Sequence, residues 1–249
     1  MIDIEEKIEN LDVSVFDPIE SQTLEDDKRS LLAIQRAVRN GGEYVYLEIG
    51  SHLGGTLQPH LLDPKCKKIY SIDPRPLIVD DERGEKQTYV DNSTKRMLDL
   101  LAEIAPDQMH KIVTFDAAST EIDPSAIDPK PDLCFIDGEH TNEAAADDFE
   151  FCRSVAANPC AIAFHDSNLV YKAIKQAISK LRSHSDAHEA MKLGGSVFAI
   201  SLGRSRLETD PKIRSIRKSV TYHFLRSAVR LRLTRYKIKR RRAKNASSN

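Results

Sequence analysis

The sequence predicts an α/β protein with a doubly wound, mostly parallel seven-stranded sheet, a C-terminal antiparallel hairpin and a basic helical tail. Three observations predict it. Short apolar runs alternate with stretches of helical period, the pattern of consecutive strand–helix–strand units. A glycine-rich turn follows the first run, in the stretch YVYLEIGSHLGGT over residues 44–56. The runs also end in polar groups: Glu48, Asp73, Asp116 and Asp137 stand at or near the ends of the first four, and His165-Asp166 follow the fifth.

The elements follow in order. Residues 1–21 mix charge, Asp and Pro and are expected to form a loosely specified lead-in. Residues 24–39 carry Leu31, Leu32, Ile34, Ala37 and Val38 at helical spacing, with Gly41-Gly42 as a stop signal. Strands are expected at 45–49, 68–72, 111–115, 133–136 and 160–164. Helices are expected at 93–104, with Asn92 or Ser93 as N-cap, at 141–156, and at 169–181. Residues 189–193 and 197–202 flank Gly194-Gly195 as a hairpin, which closes the parallel sheet with an antiparallel edge. The resulting division is a lead-in over 1–21, a catalytic-type domain over 22–203 and a basic amphipathic extension over 204–249.

The glycine turn narrows the ligand class. A glycine turn after the first strand of such a sheet suits a nucleotide-type cofactor. A dinucleotide fingerprint needs glycine at its first, third and sixth positions, and His52 occupies the third. The order present is Glu48-x-Gly50-x-x-x-Gly54, with Ser51 and Gly55 in the same turn. In an open α/β sheet the strand ends face one crevice. There Asp73 is placed to accept both hydroxyls of a ribose, Glu48 to hold an amino group, and Asp116-Ala117 to read an adenine edge.

Composition sets further bounds. The acidic start lacks an apolar h-region, so no signal peptide is expected. No apolar run reaches the roughly 20 residues that span a bilayer. Cys66, Cys134, Cys152 and Cys160 show no paired metal spacing and read as buried thiols of a reducing cytosol. The net charge of −1 hides an asymmetry: from Arg204 onward 16 Lys and Arg stand against 2 Asp and Glu, a net of +14, while residues 1–203 carry 21 against 36, a net of −15. Apolar residues such as Phe224, Leu225, Val229, Leu231, Leu233 and Tyr236 punctuate the basic run. Three readings stay open for 204–244: packing on the acidic body of its own or a neighbouring subunit, as in a homo-oligomer; docking on an anionic membrane surface; or binding nucleic acid. The protein is then cytoplasmic, and peripheral at the inner membrane surface if the tail meets lipid.

The stretches YLEIGSHLGG, YSIDP, FIDGEH over 135–140 and FHDS over 164–167 together resemble the class I S-adenosylmethionine-dependent methyltransferases. The resemblance is to the small-molecule O-methyltransferase branch that includes macrocin-type O-methyltransferases and relatives of the cephalosporin hydroxylase protein, and it covers residues 24–202. It implies the Rossmann-like methyltransferase fold and S-adenosylmethionine as cofactor. The implied cofactor set is Glu48, Gly50, Ser51, Gly54, Gly55, Asp73, Asp116, Ala117 and Asp137. In that pattern FIDG-x-H precedes a helix with an Asp, here Asp148. An aromatic often stands two residues after the His, where this chain has Asn142.

Methyl transfer from a sulfonium is an in-line displacement, so a hydroxyl acceptor must be aligned and lose its proton. Two devices are plausible. A neutral His140, three residues past Asp137 on the loop over the crevice, can act as the base, with Asp137 and Asp166 counted as catalytic beside that role. Alternatively Asp137, His165 and Asp166 can hold Mg²⁺, which lowers the pKa of the hydroxyl. The expected acceptor is a small molecule, a sugar or a glycolipid. The alternatives are an RNA or protein acceptor recruited by the tail, and a non-catalytic binding module on the same fold.

Overall fold

The computed structural model describes residues 3–203 and 205–246. Nine strands and eight α-helices are named here in chain order. The helices are α1 (Ile4–Asn10), α2 (Glu25–Arg39), α3 (Gln58–Leu62), α4 (Thr94–Ile104), α5 (Asn142–Val155), α6 (Tyr171–Ser183), α7 (Pro211–Ile216) and α8 (Val220–Ala246). The main strands are β1 (Tyr44–Ile49), β2 (Cys66–Ile72), β5 (Ile112–Phe115), β6 (Leu133–Ile136), β7 (Cys160–Phe164), β8 (His188–Lys192) and β9 (Phe198–Leu202). Two short strands, β3 (Ile78–Asp80) and β4 (Lys86–Thr88), form a separate antiparallel arm.

The seven-stranded sheet has the order β5-β2-β1-β6-β7-β9-β8. The first five of these strands are parallel, and β9 enters antiparallel between β7 and β8. The doubly wound sheet and its C-terminal hairpin therefore stand as the sequence predicts. Chain order reverses at β1, which lies between β2 and β6, and a crevice opens over the carboxyl ends of strands at such a switch point.

Register aligns those ends. Ile49 pairs with Ile72 and Ile136, Ile72 with Phe115, and Ile136 with Phe164. The next residues, Gly50, Asp73, Asp116, Asp137 and His165, therefore leave the sheet at one level. The strands are short apolar runs because both faces are covered. On one face Tyr44, Tyr46, Leu133 and Phe135 pack with residues of α1, α2 and α4. On the other Leu47, Ile49, Ile136, Ile162 and Phe164 pack with α5, α6 and Leu231 of α8.

The lead-in over 1–21 departs from expectation. It folds as α1 followed by a single 3₁₀ turn at Val13–Phe16. Ile8, Val15, Phe16 and Ile19 are buried in the core with α2. The Gln58 amide ties the segment down: its NH₂ donates to the carbonyls of Phe16 (3.1 Å) and Ile19 (2.9 Å), and its oxygen accepts from the Ile19 N–H (3.0 Å). The apolar residues lie across two short elements and the bend that follows them, so no period announces them. The tail begins at Arg204, which lies outside the described residues, and α7 and α8 follow.

If the first segment is part of the core, Ile8→Ala should lower unfolding free energy by about 2–5 kcal/mol. Urea denaturation followed by circular dichroism measures this directly.

Candidate active site

The crevice is a cavity of about 810 Å³. Its walls come from the glycine turn, the end of β2, the loops after β6 and β7, the β3–β4 arm, the 20–24 stretch before α2, and Gly195-Ser196 of the hairpin turn.

Gly50 has φ of +89°, and a Cβ there would overlap the Asp137 carbonyl. Its N–H donates to the Ile72 carbonyl (2.8 Å), and the Asp137 N–H donates to the Ile49 carbonyl (2.8 Å). The turn after β1 and the loop after β6 are therefore in backbone contact, and only glycine permits it. Asp73 lines the cavity. Its carboxylate accepts from the backbone N–H of His52 (2.9 Å) and of Arg75 (2.8 Å), with the Arg75 guanidinium at 3.5 Å. An ionised carboxylate has about four acceptor positions, so these contacts orient it and leave capacity for a diol.

Gly50, Ser51, Gly55, Asp73, Asp137, His140, His165 and Asp166 all line the cavity. Four expected residues are not in its walls. Glu48 is buried one residue before the strand end, on the same sheet face as Tyr46. Its carboxylate accepts from the Tyr46 hydroxyl (2.6 Å) and the Thr56 hydroxyl (2.5 Å), and burial pushes its pKa up to about 8. It braces the turn from beneath. Gly54, with φ of +83°, packs against Met97 and Leu101 of α4. Asp116 follows the edge strand β5, is exposed, and accepts a hydrogen bond from the Thr94 hydroxyl, and Ala117 stays beside it outside the lining. Asn142 is a structural residue: its amide oxygen accepts from the N–H groups of Lys172 (2.9 Å) and Ala173 (3.0 Å), capping α6. Asp148 does reach the cavity, where its carboxylate accepts from the Ser119 hydroxyl (2.6 Å).

Along one wall five ionisable groups alternate in sign. Asp27 lies 3.4 Å from His165 Nε2; His165 Nδ1 lies 2.8 Å from Asp137; Asp137 lies 3.4 Å from His140 Nε2; and His140 Nδ1 lies 3.3 Å from Asp166. Burial pushes Asp137 towards its neutral form, but the positive charges of His165 and His140 beside it prevail and hold it at about 2. Burial likewise disfavours a charged His165, yet Asp137, Asp27 and Asp166 lift its pKa well above the ordinary imidazole value. His140 is raised too, with Asp137 and Asp166 outweighing burial and the repulsion of His165. Both histidines thus gain a proton-holding partner on each side. The stabilisation from His165 is complete below the ordinary imidazole pKa and fades as pH rises through its raised value. That from Asp137 is present above the ordinary carboxylate pKa and is lost as pH falls through about 2.

Asp27, which begins this chain of charges, was not singled out in the sequence. It lies in the first turn of α2 and is almost fully buried. Its carboxylate accepts from the Leu24 N–H (3.0 Å), the Ser196 N–H (2.5 Å) and the Ser196 hydroxyl (3.0 Å). The adjoining Gly195 has φ of +56°, and a Cβ there would overlap Asp27. The Lys192 ammonium fixes that turn by donating to the carbonyls of Leu193, Gly195 and Val197 at 2.8–3.0 Å. Asp27 falls three residues before Ser30 and seven before Ile34 on the buried face of α2, and that position was the available signal. Arg230 of α8 also lines the cavity and went unread.

The expected metal set of Asp137, His165 and Asp166 is not the one that converges. Among the described residues, donor atoms of Asp137, His140 and His165 lie within 4.8 Å of one another. Asp166 pairs with the far side of His140 instead.

A doubly wound sheet with an antiparallel C-terminal hairpin, and polar groups at every central strand end, defines a class I methyltransferase architecture. Residues 47–167 match the family model of a methyltransferase domain. The match spans a little under half of the chain, and the sheet order is that of the Rossmann-like methyltransferase fold. Solved structures share the fold at low identity. The O-methyltransferase TomG from Streptomyces achromogenes, involved in tomaymycin synthesis and solved with SAM, is 13% identical with a TM-score of 0.52, covering 82% of this chain and 90% of that one. The O-methyltransferase NovP is 12% identical with a TM-score of 0.54, covering 71% and 79%. No curated protein matches the sequence.

Asp27→Asn should remove one of the charges that hold the His165 proton. Titration of His165 by NMR should then show its pKa lowered from a value well above 6.5, with the fold retained.

Proposed function

We propose that the cavity binds S-adenosylmethionine against the glycine turn and Asp73, and that the protein methylates a hydroxyl of a small-molecule acceptor with His140 as the base. The observation that carries this reading is His140 at the cavity wall, held between Asp137 at 3.4 Å and Asp166 at 3.3 Å. S-adenosylmethionine supplies, when bound, a methyl group made electrophilic by the sulfonium.

This chain's residues supply the rest. Asp73 presents an oriented carboxylate to a ribose diol, and Gly50 lets the backbone lie close beneath the ligand. Asp137 faces Nε2 of His140 and holds the ring, while Asp166, the more exposed carboxylate, faces Nδ1, so the acceptor hydroxyl would enter on the Nδ1 side and give its proton to that nitrogen. After transfer, the same two carboxylates stabilise the charged imidazole. Asp27, through His165, keeps Asp137 in place. The β3–β4 arm and the 20–24 stretch enclose the cavity, which limits competing water.

A second reading is favoured by the convergence of Asp137, His140 and His165. Two imidazoles and one carboxylate suit Zn²⁺ or Mn²⁺; Mg²⁺ prefers an all-oxygen set, which these donors do not offer. A metal held by these residues would lower the pKa of an acceptor hydroxyl, and His140 would then be a ligand in place of a base. The readings part on one measurement. With His140 as base, activity survives chelator; with a metal, chelator abolishes it and Zn²⁺ or Mn²⁺ restores it.

Calorimetric titration with S-adenosylmethionine should show micromolar binding, weakened roughly 10- to 100-fold in Asp73→Asn, the range for losing a charge-assisted hydrogen bond. Absence of binding would refute the cofactor assignment. His140→Ala should lower turnover by about 10²-fold or more with cofactor affinity nearly unchanged. Because the base must be neutral, turnover should rise with pH through the raised His140 pKa. Asp166→Asn removes one of the carboxylates that raise it, so the acid limb of the pH–rate profile should move to lower pH.

A further inference from the structure

We infer that α8 docks the protein on an anionic lipid surface, with the mouth of the cavity beside the contact. The helix packs on the body through His223, Ser227 and Leu231, which are buried, while Tyr222, Leu225, Val229, Leu233 and Tyr236 are each more than half exposed. With 3.6 residues per turn, these five fall within roughly 80° of arc, on the side away from the buried residues. They make a continuous apolar stripe along the helix with no partner among the described residues. Arg226, Arg230 and Lys237 border the stripe on one side and Arg232 and Lys239 on the other. An apolar stripe between two rows of cations is the form of helix that lies in the interface of an anionic bilayer, apolar face among the acyl chains and cations at the headgroups.

Charge decides between occupants. Val220–Ala246 contains ten Lys and Arg and no Asp or Glu. Pairing this face with the same face of a second copy would bring two such rows together with no compensating acid. A nucleic acid would satisfy the cations but leave the stripe in water. An anionic lipid surface satisfies both. Helix α8 is not long and apolar enough to cross a membrane, and neither is any other helix among the described residues, so the contact is peripheral.

The helix also connects to the site. Arg230 lines the cavity. Arg235 donates to the backbone carbonyl (2.8 Å) and carboxylate (2.5 Å) of Glu82, at the tip of the β3–β4 arm. The Glu82 N–H donates to the His140 carbonyl (2.9 Å), and its carboxylate accepts from the Asn142 N–H (2.9 Å). One acid thus joins the docking helix to the loop that carries the base. A surface-bound protein would hold the cavity at the headgroup layer, where an amphiphilic acceptor is concentrated.

The test is flotation of the full chain with phosphatidylcholine vesicles, with and without phosphatidylglycerol, compared with Leu225→Glu/Leu233→Glu. Both leucines are exposed, so the double variant should keep its thermal melt, which controls for folding, and the readout needs no turnover. The expected result is binding only to the anionic vesicles, reduced at least tenfold in the variant. Absence of binding to anionic vesicles would overturn the inference. So would equal binding by the variant, which would leave charge alone as the cause. A stripe-dependent dimer in sedimentation, without vesicle binding, would assign the face to a second copy. Binding to random RNA but not to vesicles would assign it to nucleic acid.

Discussion

The chain of alternating charges from Asp27 to Asp166 is the constraint on which the site depends. Removing a single carboxylate or imidazolium from water costs several kcal/mol, and a buried pair repays that only with close geometry and further hydrogen bonds. Here each inner group has an opposite neighbour on both sides. The pattern holds only if α2, the loop after β6 and the end of β7 arrive in one register, because they contribute different members. The groups that brace the end of the chain are structural in the strict sense: Ser196 fills the acceptor positions of Asp27, Gly195 makes room for it, and Lys192 gathers the carbonyls of the turn that carries them. Removing one carboxylate therefore does more than delete a contact, since it also lowers the pKa of the imidazole that the carboxylate held.

A second constraint ties this wall to the ligand-binding turn. Gly50 and Asp137 share a backbone contact too close for any side chain on the former. The turn after β1 and the loop that carries Asp137 and His140 are thus joined backbone to backbone. Positioning a donor and an acceptor for in-line transfer demands that kind of rigidity, because small misplacements weaken the effective concentration of reacting groups. Glu48 contributes from below. Its carboxyl, whose pKa burial raises to about 8, accepts from the Tyr46 and Thr56 hydroxyls and supports the turn.

Much of this was legible in the sequence, and the failures have physical causes. The sheet could be read because its strands are short apolar runs ended by polar residues, and parallel register converts those ends into a row. Gly50, Asp73, Asp137, His140, His165 and Asp166 all belong to that row or its loops. Glu48, expected at the cofactor, lies one residue before the strand end and outside the cavity wall: in a strand of period two, that position faces the other side of the sheet from the last residue. Asp116 sits in the row but follows the edge strand, exposed and outside the cavity wall, with the Thr94 hydroxyl donating to it. Asp27 was hidden because three acids begin α2 in succession and only tertiary contact shows which turns inward. In the lead-in, five buried apolar residues are spread over a helix, a 3₁₀ turn and the stretches beside them, so no single period reveals them. For α8 the helix was legible and its orientation was not, because apolar residues occur on both of its faces.

The division of charge between body and tail gains a more specific meaning from the structure. If the tail served only to neutralise the acidic body, its cations would be spread over acidic partners. Among the described residues, the ion pairs from α8 to the body are those of Arg235 with Glu82 and Arg241 with Glu85, both on the β3–β4 arm. These pairs fix the helix at the arm that walls the cavity, while Arg226, Arg232, Lys237 and Lys239, which border the apolar stripe, make no ion pair with the described residues of the body. The acidic body carries the converse property: a net charge of −15 over residues 1–203 repels an anionic surface. A basic helix on one side of an acidic body is therefore an orienting device, since only one face of the molecule can approach such a surface. That face is the one beside which Arg230 enters the cavity.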